Sequence, residues 1–346
     1  MIGQIIKEGV EKGASDIILS PDNHPSLKVH GEIVFLPEYG LLKKSELEAE
    51  ILAIIPEKMK KQFADELDLD FGITLTGYGR FRANVMSQRK WYTIVFRVIQ
   101  NEIPIFEDLN LPPILKEFTK KRNGLVLITG SVGSGKSTTL ASLINEINGN
   151  HEKHIITIED PIEFLHESKS SLIEQREVGV NTLSFENGLK YALRQASDVI
   201  MLWEMRDLET FRLALRAAET GNLVFATLHT SGAARTISRI IDMFPGDEKD
   251  QIRSQLSESL LGVVWQKLIK KKWWGRVAAT EILVNTTSIA NMIRDSHVHQ
   301  IDSVIETSRE DGMMPMKKSL ENLFWKWLIE EDIYNNHMQI EKNKGA

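Results

Sequence analysis

In this 346-residue chain the stretch Gly124 to Leu140, GLVLITGSVGSGKSTTL, leaves the fewest options for folding. Leu125 to Thr129 is a short, partly β-branched apolar run, the pattern of a strand buried on both faces. A glycine-rich turn follows, and then a helix-compatible segment. Gly130, Gly135, Lys136 and Ser137 satisfy G-x-x-x-x-G-K-[ST], in the strand-before, helix-after setting that the motif requires. The glycines let the loop wrap closely, so that backbone N–H groups of Ser131, Val132, Gly133, Ser134, Gly135, Lys136, Ser137 and Thr138 face phosphate oxygens at the positive end of a helix. Lys136 adds a point charge between β- and γ-phosphates, and the Ser137 hydroxyl suits Mg²⁺. A glycine turn that binds nothing is disfavoured, because motif and flanking elements agree.

At this length there is room for two domains, each with its own core. Hydrophobic residues at 42% and charged residues at 26% fit a soluble globular protein. The net charge of −6 lacks a basic footprint, so nucleic acid is not the expected partner. Without cysteine there are no disulfides, thiolate zinc sites or cysteine nucleophiles, which fits a reducing compartment. The opening MIGQIIKEGVEKG is charged too early for a secretory leader. No apolar run reaches about 18 residues, so membrane association is expected to be peripheral.

Residues 1–100 read as a small α+β domain. Ile2, Ile5, Ile6 and Val10 recur at helical spacing before Gly13, Ser15 to Ser20 reads as a strand, and Leu27 to Leu36 as a hairpin. A second helix is expected from Ser45, its N-cap, to Asp65, broken or kinked at Pro56. Asp70 to Thr76 and Arg80 to Ser87 pair around TGYG, and Trp91 to Ile99 is a further strand. Residues 101–113 hold Pro104, Pro112, Pro113 and several acids and read as an inter-domain linker and hinge.

Across 114–346 strands alternate with helices, the signature of an α/β domain with a mostly parallel sheet covered on both faces. Strands are expected at His154 to Ile158, Val199 to Leu202 and Leu223 to Leu228. Helices are expected at Thr138 to Ile147, Ser184 to Gln195 and Leu208 to Thr220, the last capped by Gly221. Beyond Pro245 the pattern reads as mostly helical, including one helix from Asp247 to Lys270, with a frayed polar tail from Asn335. Lys270, Lys271, Lys272, Trp273 and Trp274 form a basic, aromatic run that reads as a solvated hairpin tip or a lipid or nucleic-acid patch.

Hydrolysis of a phosphoanhydride needs a cradle, a metal, a carboxylate to orient or deprotonate water and a positive group for transition-state charge. Glu204 follows an apolar strand, where it would polarise the attacking water or contact Mg²⁺ through water, or else be a structural acid. Glu159, Asp160 and Glu163 cluster in TIEDPIEF at another strand end, positioned for metal or water, or capping a following helix. His229, ending the strand in FATLHT, is either a hydrogen-bonded structural group or a sensor of the γ-phosphate. Arg80, Arg82, Arg89 and Arg97 alternate with Phe81, Val85, Val95 and Phe96, placing basic groups on one face of a sheet and the core on the other.

Taken together, ITGSVGSGKSTT, ITIEDPIEFLH, QREVG, EMRDLETFRLALRAAETG, FATLHT and RIIDMFPGDEK resemble the secretion ATPase superfamily, and within it the type IV pilus retraction ATPases of the twitching-motility type. That resemblance implies a RecA-like P-loop domain with a helical C-terminal end, preceded by a PAS-like domain. It also implies an ATP- and Mg²⁺-dependent homo-hexamer, cytoplasmic and peripheral at the inner membrane, which docks on a pilus platform protein and disassembles pilin. Matched by position, Gly130 to Thr138 is its Walker A, Glu159, Asp160 and Glu163 its aspartate box, Glu204 its Walker B carboxylate and His229 its histidine box. Arg80, Arg82 and Arg97 become arginines offered in trans to a neighbouring subunit's nucleotide.

The chain also departs from that pattern. Relatives usually carry Asp-Pro before Asp198, Gly before Glu204 and often His at 222, where this chain has Ala196-Ser197, Trp203 and Asn222. If the strand geometry persists, Trp203 points away from the face that carries Glu204. Two alternatives stay open: an accessory retraction subunit that hydrolyses poorly, and a related secretion or DNA-transfer ATPase.

Overall fold

The computed structural model describes residues 1–29, 31–99, 102–205, 207–273 and 275–343; Asn101, Arg206 and Trp274, named above, lie outside them. Contacts divide the chain into two compact units, one of Met1–Glu102 with Pro161–Leu165, the other of Ile103–Asp160 with the chain from His166 onward.

In the first unit apolar spacing makes α1 (Ile2–Glu11), which buries Ile2, Ile5 and Ile6. Val10, expected on that face, is exposed. Gly9 takes the place, because a Cβ there would meet the Ile17 side chain at 2.7 Å. Strands β1 (Asp16–Leu19), β2 (Ser26–Val29) and β3 (Glu32–Phe35) follow. The expected single helix is two, α2 (Lys44–Ile54) and α3 (Lys60–Glu66), separated at Pro56 as its missing N–H requires. Ser45 is not the N-cap; it lies inside the first turn of α2 after Lys43.

Strands β4 (Asp68–Leu75), β5 (Gly79–Gln88) and β6 (Trp91–Val98) complete an antiparallel sheet ordered β3-β2-β1-β6-β5-β4. Phe81, Ala83, Val85, Ile94 and Phe96 are buried on one face. Burying each phenylalanine contributes about 1.5–3 kcal/mol. Arg80, Arg82 and Arg97 fall on the opposite face, as period two demands. Val95 does not join the core: it pairs with Asn84 on the arginine side. Arg89 sits in the turn between β5 and β6 rather than in a strand.

The second unit begins with a turn at Phe106–Leu109 and α4 (Ile114–Thr119), with Phe106 and Leu111 buried in its core. The central strand β7 (Gly124–Thr129) feeds α5 (Lys136–Asn150). Then come β8 (His154–Glu159), β9 (Leu172–Glu177), α6 (Phe185–Ala192), β10 (Val199–Leu202), α7 (Leu208–Thr220) and β11 (Leu223–Leu228). The remainder is α8 (Ala233–Met243), α9 (Lys249–Ser259), β12 (Leu260–Lys270), β13 (Arg276–Val284), α10 (Thr287–Arg294), α11 (Ile301–Thr307), α12 (Met316–Trp325) and α13 (Glu331–Asn343).

The sheet order is β13-β12-β7-β11-β10-β8-β9, parallel except for the β12/β13 hairpin. Successive residues of the inner strands point to opposite layers, and both are apolar. Leu125, Leu127, Ile200 and Leu202 face α6 to α9, while Val126, Ile128, Val199 and Met201 face α4 and α5.

Two expectations for this unit are corrected, and one strand is new. Residues 260–270 form a strand rather than the end of a helix: Gly262 has no room for a side chain, its Cβ meeting Phe118 at 2.5 Å. The strand β9 was not anticipated, because its polar run LIEQRE has no apolar period. The tail is helical from Glu331 to Asn343 instead of frayed, and Glu341, nearly buried, pairs with Lys267 at 2.8 Å.

Candidate nucleotide-binding and hydrolysis site

The loop between β7 and α5 has a conformation that only its glycines permit. Gly130 has φ +148° and Gly135 φ +87°, in the region that L side chains avoid. A Cβ on Gly130 would lie 2.5 Å from both the Gln266 carbonyl oxygen and the Ser134 hydroxyl. Val132, at the outer tip, is 87% exposed, whereas Ser134 and Lys136 are buried. The Lys136 ammonium donates to the carbonyls of Gly130 and Ser131 at 2.8 and 3.0 Å. These two carbonyls fix where the ammonium sits, at the mouth of the loop where a phosphate would arrive.

Behind the loop stands a residue that sequence reasoning missed. Gln266 on β12 is fully buried; its Nε2 donates to the Ser134 carbonyl at 2.7 Å, and its Oε1 accepts from the Thr139 hydroxyl at 3.0 Å. One amide thus ties the loop to the first turn of α5. The only sequence signal was a lone amide within the apolar run LLGVVWQKLIK.

Parallel register places the other candidates along one edge. Thr129 pairs with Leu228, Leu202 with Ala226, and Leu202 with Ile158. The residues that leave the C-terminal ends of β8, β10 and β11 therefore emerge beside the loop, the side of an open α/β sheet where ligands bind. Glu159 is buried and accepts from Thr157 Oγ1 at 2.5 Å and from Gln175 Nε2 at 3.0 Å. His229 Nε2 lies 3.4 Å from Glu204 Oε1. Ser137 and Thr138, in the first turn of α5, are half-buried.

The acids of TIEDPIEF do not cap a helix, since β8 passes through a loop to β9. Glu163 lies in the short segment that belongs to the first unit. In that same unit Arg80 Nε donates to the Ile162 carbonyl at 3.5 Å. Arg82 grips both oxygens of Asp70 at 3.0 and 2.9 Å through Nε, and Arg97 Nε reaches Asp16 at 2.8 Å. Arg82 and Arg97 are directly opposed across β5 and β6, each charge answered by its own aspartate.

The altered positions are accommodated. Trp203 is half-buried against the layer containing Leu140, Leu143 and Ile144, on the face opposite to Leu202. Asn222 donates to the carbonyl of Ser197 and, at 3.2 Å, to its hydroxyl, so two of the departures from the family pattern contact each other.

The oxygen donors suit a magnesium ion that shares its ligands with a substrate. Among the described residues no group of three His, Asp or Glu side chains could hold a metal alone. The Ser137 hydroxyl at the start of α5 and the Glu204 carboxylate, with the one strand β11 between β7 and β10, are hard donors of the kind Mg²⁺ takes together with phosphates. No described helix is long and apolar enough to cross a membrane.

Comparison with known proteins places these features. The family described as "Type II/IV secretion system protein" matches residues 1–273. The "Type IV pilus retractation ATPase PilT" of Pseudomonas aeruginosa is 44% identical over 344 residues, covering 99% of each chain. The "Twitching motility protein" of Neisseria gonorrhoeae is 46% identical over 308 residues, 88% of this chain and 82% of that one. The crystal structure of the pilus retraction motor PilT with bound ADP superposes with a TM-score of 0.90 at 42% identity, over 96% of this chain and 95% of the other. A nucleotide loop on a RecA-like sheet, acids and a histidine at the adjacent strand ends, and full-length similarity together make this chain a member of the type II/IV secretion ATPase family, a PilT-like type IV pilus retraction ATPase.

Proposed function

We propose that the chain works as a homo-hexameric, Mg²⁺-dependent motor at the cytoplasmic face of the inner membrane, docked on a pilus platform protein and acting indirectly on pilin. The observation that carries this reading is the juxtaposition of Lys136, Ser137, Glu204, His229 and Glu159 along one sheet edge. Residues 1–100 serve as the moving domain and 114–346 as the engine, with rotation between domains as the power stroke; of the linker 101–113, Phe106 and Leu111 are packed in the engine's core and move with it.

In this reading the backbone from Ser131 to Thr138 cradles the phosphates of ATP and Lys136 sits between the β- and γ-groups. Mg²⁺, held by Ser137 and approached by Glu204, would neutralise charge developing between those phosphates. Glu204 orients and deprotonates the attacking water. Its distance from His229 supports a sensor, since a histidine touching that carboxylate registers its change of hydrogen bonding when the γ-phosphate leaves. Glu159, held by Thr157 and Gln175, is an acid whose orientation is already set, and Glu163 completes the aspartate box.

Arg80, Arg82 and Arg97 act in trans on the nucleotide of a neighbouring subunit. Exposed ion pairs such as Arg82 with Asp70 are worth only about 0–1 kcal/mol, so exchange of aspartate for phosphate is cheap. An arginine finger is worth roughly 10³ to 10⁵ in rate.

The test is ATP turnover of the purified chain, with magnesium or EDTA, alongside sizing with and without nucleotide. Turnover that needs magnesium and rises with assembly supports the motor. An obligate monomer removes the trans arginines, and turnover unchanged by EDTA removes the metal. Cells lacking the chain should accumulate surface pili; loss of pili would mean force in the other direction.

A further inference from the structure

A basic, aromatic surface outside the nucleotide site is assembled from two distant parts of the chain. The turn between β12 and β13 presents Trp273, 86% exposed, and the end of α12 with the connection to α13 presents Trp325 and Trp327, 73% and 75% exposed. Lys272 joins the two: its ammonium lies 5.5 Å from the ring centre of Trp273 and 5.3 Å from that of Trp327. Its backbone N–H also donates to the Leu328 carbonyl at 2.9 Å, which fixes the turn to the connection. Beneath, Trp265, Ile269, Val277, Leu320 and Leu323 form a packed core, so the platform is rigid. Trp327 has φ +58°, a conformation costly for a bulky residue and more often kept where function requires it.

Charge is concentrated on the same surface. From Leu260 to Thr280 the chain has no acidic residue, while Lys270, Lys271 and Lys272 precede Trp273, and Lys326 stands between Trp325 and Trp327. In a chain of net charge −6 this is a local reversal. Nearby, Glu330 lies 3.9 Å from Lys272.

We infer that this surface binds the anionic headgroup layer of a membrane directly, with the indoles at the interface and the lysines against lipid phosphates. Tryptophan and lysine together are the composition of membrane interfaces, where an amphipathic ring spans the polar boundary and a flexible ammonium reaches phosphate. A protein partner would favour arginine over lysine, which is depleted at protein interfaces. Single-stranded nucleic acid is held in a groove lined by aromatic rings, whereas these indoles are 73% to 86% exposed, on a hairpin turn and at a helix end. The inference is independent of the proposed assignments at the nucleotide site.

The test uses the full-length protein and sedimentation with vesicles of phosphatidylglycerol or of phosphatidylcholine. Binding should be confined to phosphatidylglycerol and weaken with salt, and brominated lipid should quench tryptophan fluorescence. Lys271→Gln should lower the partition coefficient about fivefold, the effect of one basic residue near such a surface. Trp273→Ala should lower it at least about tenfold and remove most of the quenching, with ATP turnover unchanged as the sign that the fold is intact. Equal binding to both lipids, no binding to either, or binding indifferent to both substitutions overturns the inference. So does capture of a single-stranded oligonucleotide that both substitutions abolish while vesicles are ignored.

Discussion

His229 Nε2 and Glu204 Oε1 stand 3.4 Å apart at the ends of adjacent parallel strands, β11 and β10. The distance is long for a hydrogen bond, as apo catalytic contacts often are before substrate tightens them. Glu204→Gln keeps the shape but removes the base. It should lower turnover by about 10² to 10⁴ while leaving affinity for a fluorescent ATP analogue within about threefold. Stopped turnover with lost affinity would instead make Glu204 a binding group.

Gln266→Met removes two hydrogen bonds from a fully buried position and strands the Ser134 carbonyl and the Thr139 hydroxyl. Each orphaned group costs about 1–3 kcal/mol. Thermal unfolding should fall by several degrees. Nucleotide affinity should fall as well, since the loop loses its anchor to α5. Unchanged affinity in a destabilised protein would reduce Gln266 to a packing residue.

Trp203→Gly would restore the residue usual in relatives but empty a half-buried site beside Leu140 and Leu143. A loss of about 2–4 kcal/mol is expected from the cavity. Because the indole packs into the layer beneath α4 and α5, turnover per folded molecule should not rise. A rise of tenfold or more would show that Trp203 restrains catalysis.

Burial pushes the His166 imidazole down to about 4, with the Lys169 charge a smaller cause in the same direction. Its Nδ1 is out of reach of water and has no hydrogen-bond partner. The folded state thus binds its proton less readily than the unfolded state, where the value is the ordinary 6.5. The unfolded chain takes up more protons between those values, so this group's contribution to stability is complete above 6.5 and is lost as pH falls towards 4. The loss is on the order of 1–3 kcal/mol for this partly exposed ring. Denaturant midpoints measured from pH 7 to 4 should fall less steeply in His166→Phe than in the parent.

Arg82→Ala would leave Asp70 facing solvent, whereas Arg97→Ala would leave the buried Asp16 with Ser15 Oγ as its remaining side-chain donor. Stability should change by less than about 1 kcal/mol for Arg82→Ala and fall by about 1–3 kcal/mol for Arg97→Ala, which takes a partner from a buried carboxylate. Turnover of the assembled protein should fall by about 10³ for whichever arginine acts as a finger. Equal, small losses for both would assign them to the surface alone.

Sequence alone was sufficient where the determining forces are local. Short continuous apolar runs located β7, β10 and β11, the 3.6 period located α7, and the glycine spacing defined the nucleotide loop, because each depends on residues within one turn or strand. β9 went unread and β12 was read as helix for the opposite reason: their pairing energy comes from neighbours elsewhere in the chain. Tertiary structure alone decided that Gln266 anchors a loop more than a hundred residues away, and that Asn222 answers Ser197. It also brought Trp273 and Trp327 to either side of one lysine. Hydrogen bonds and ring contacts act over a few ångströms in space, and a chain's own spacing carries no record of which distant residues will come that close.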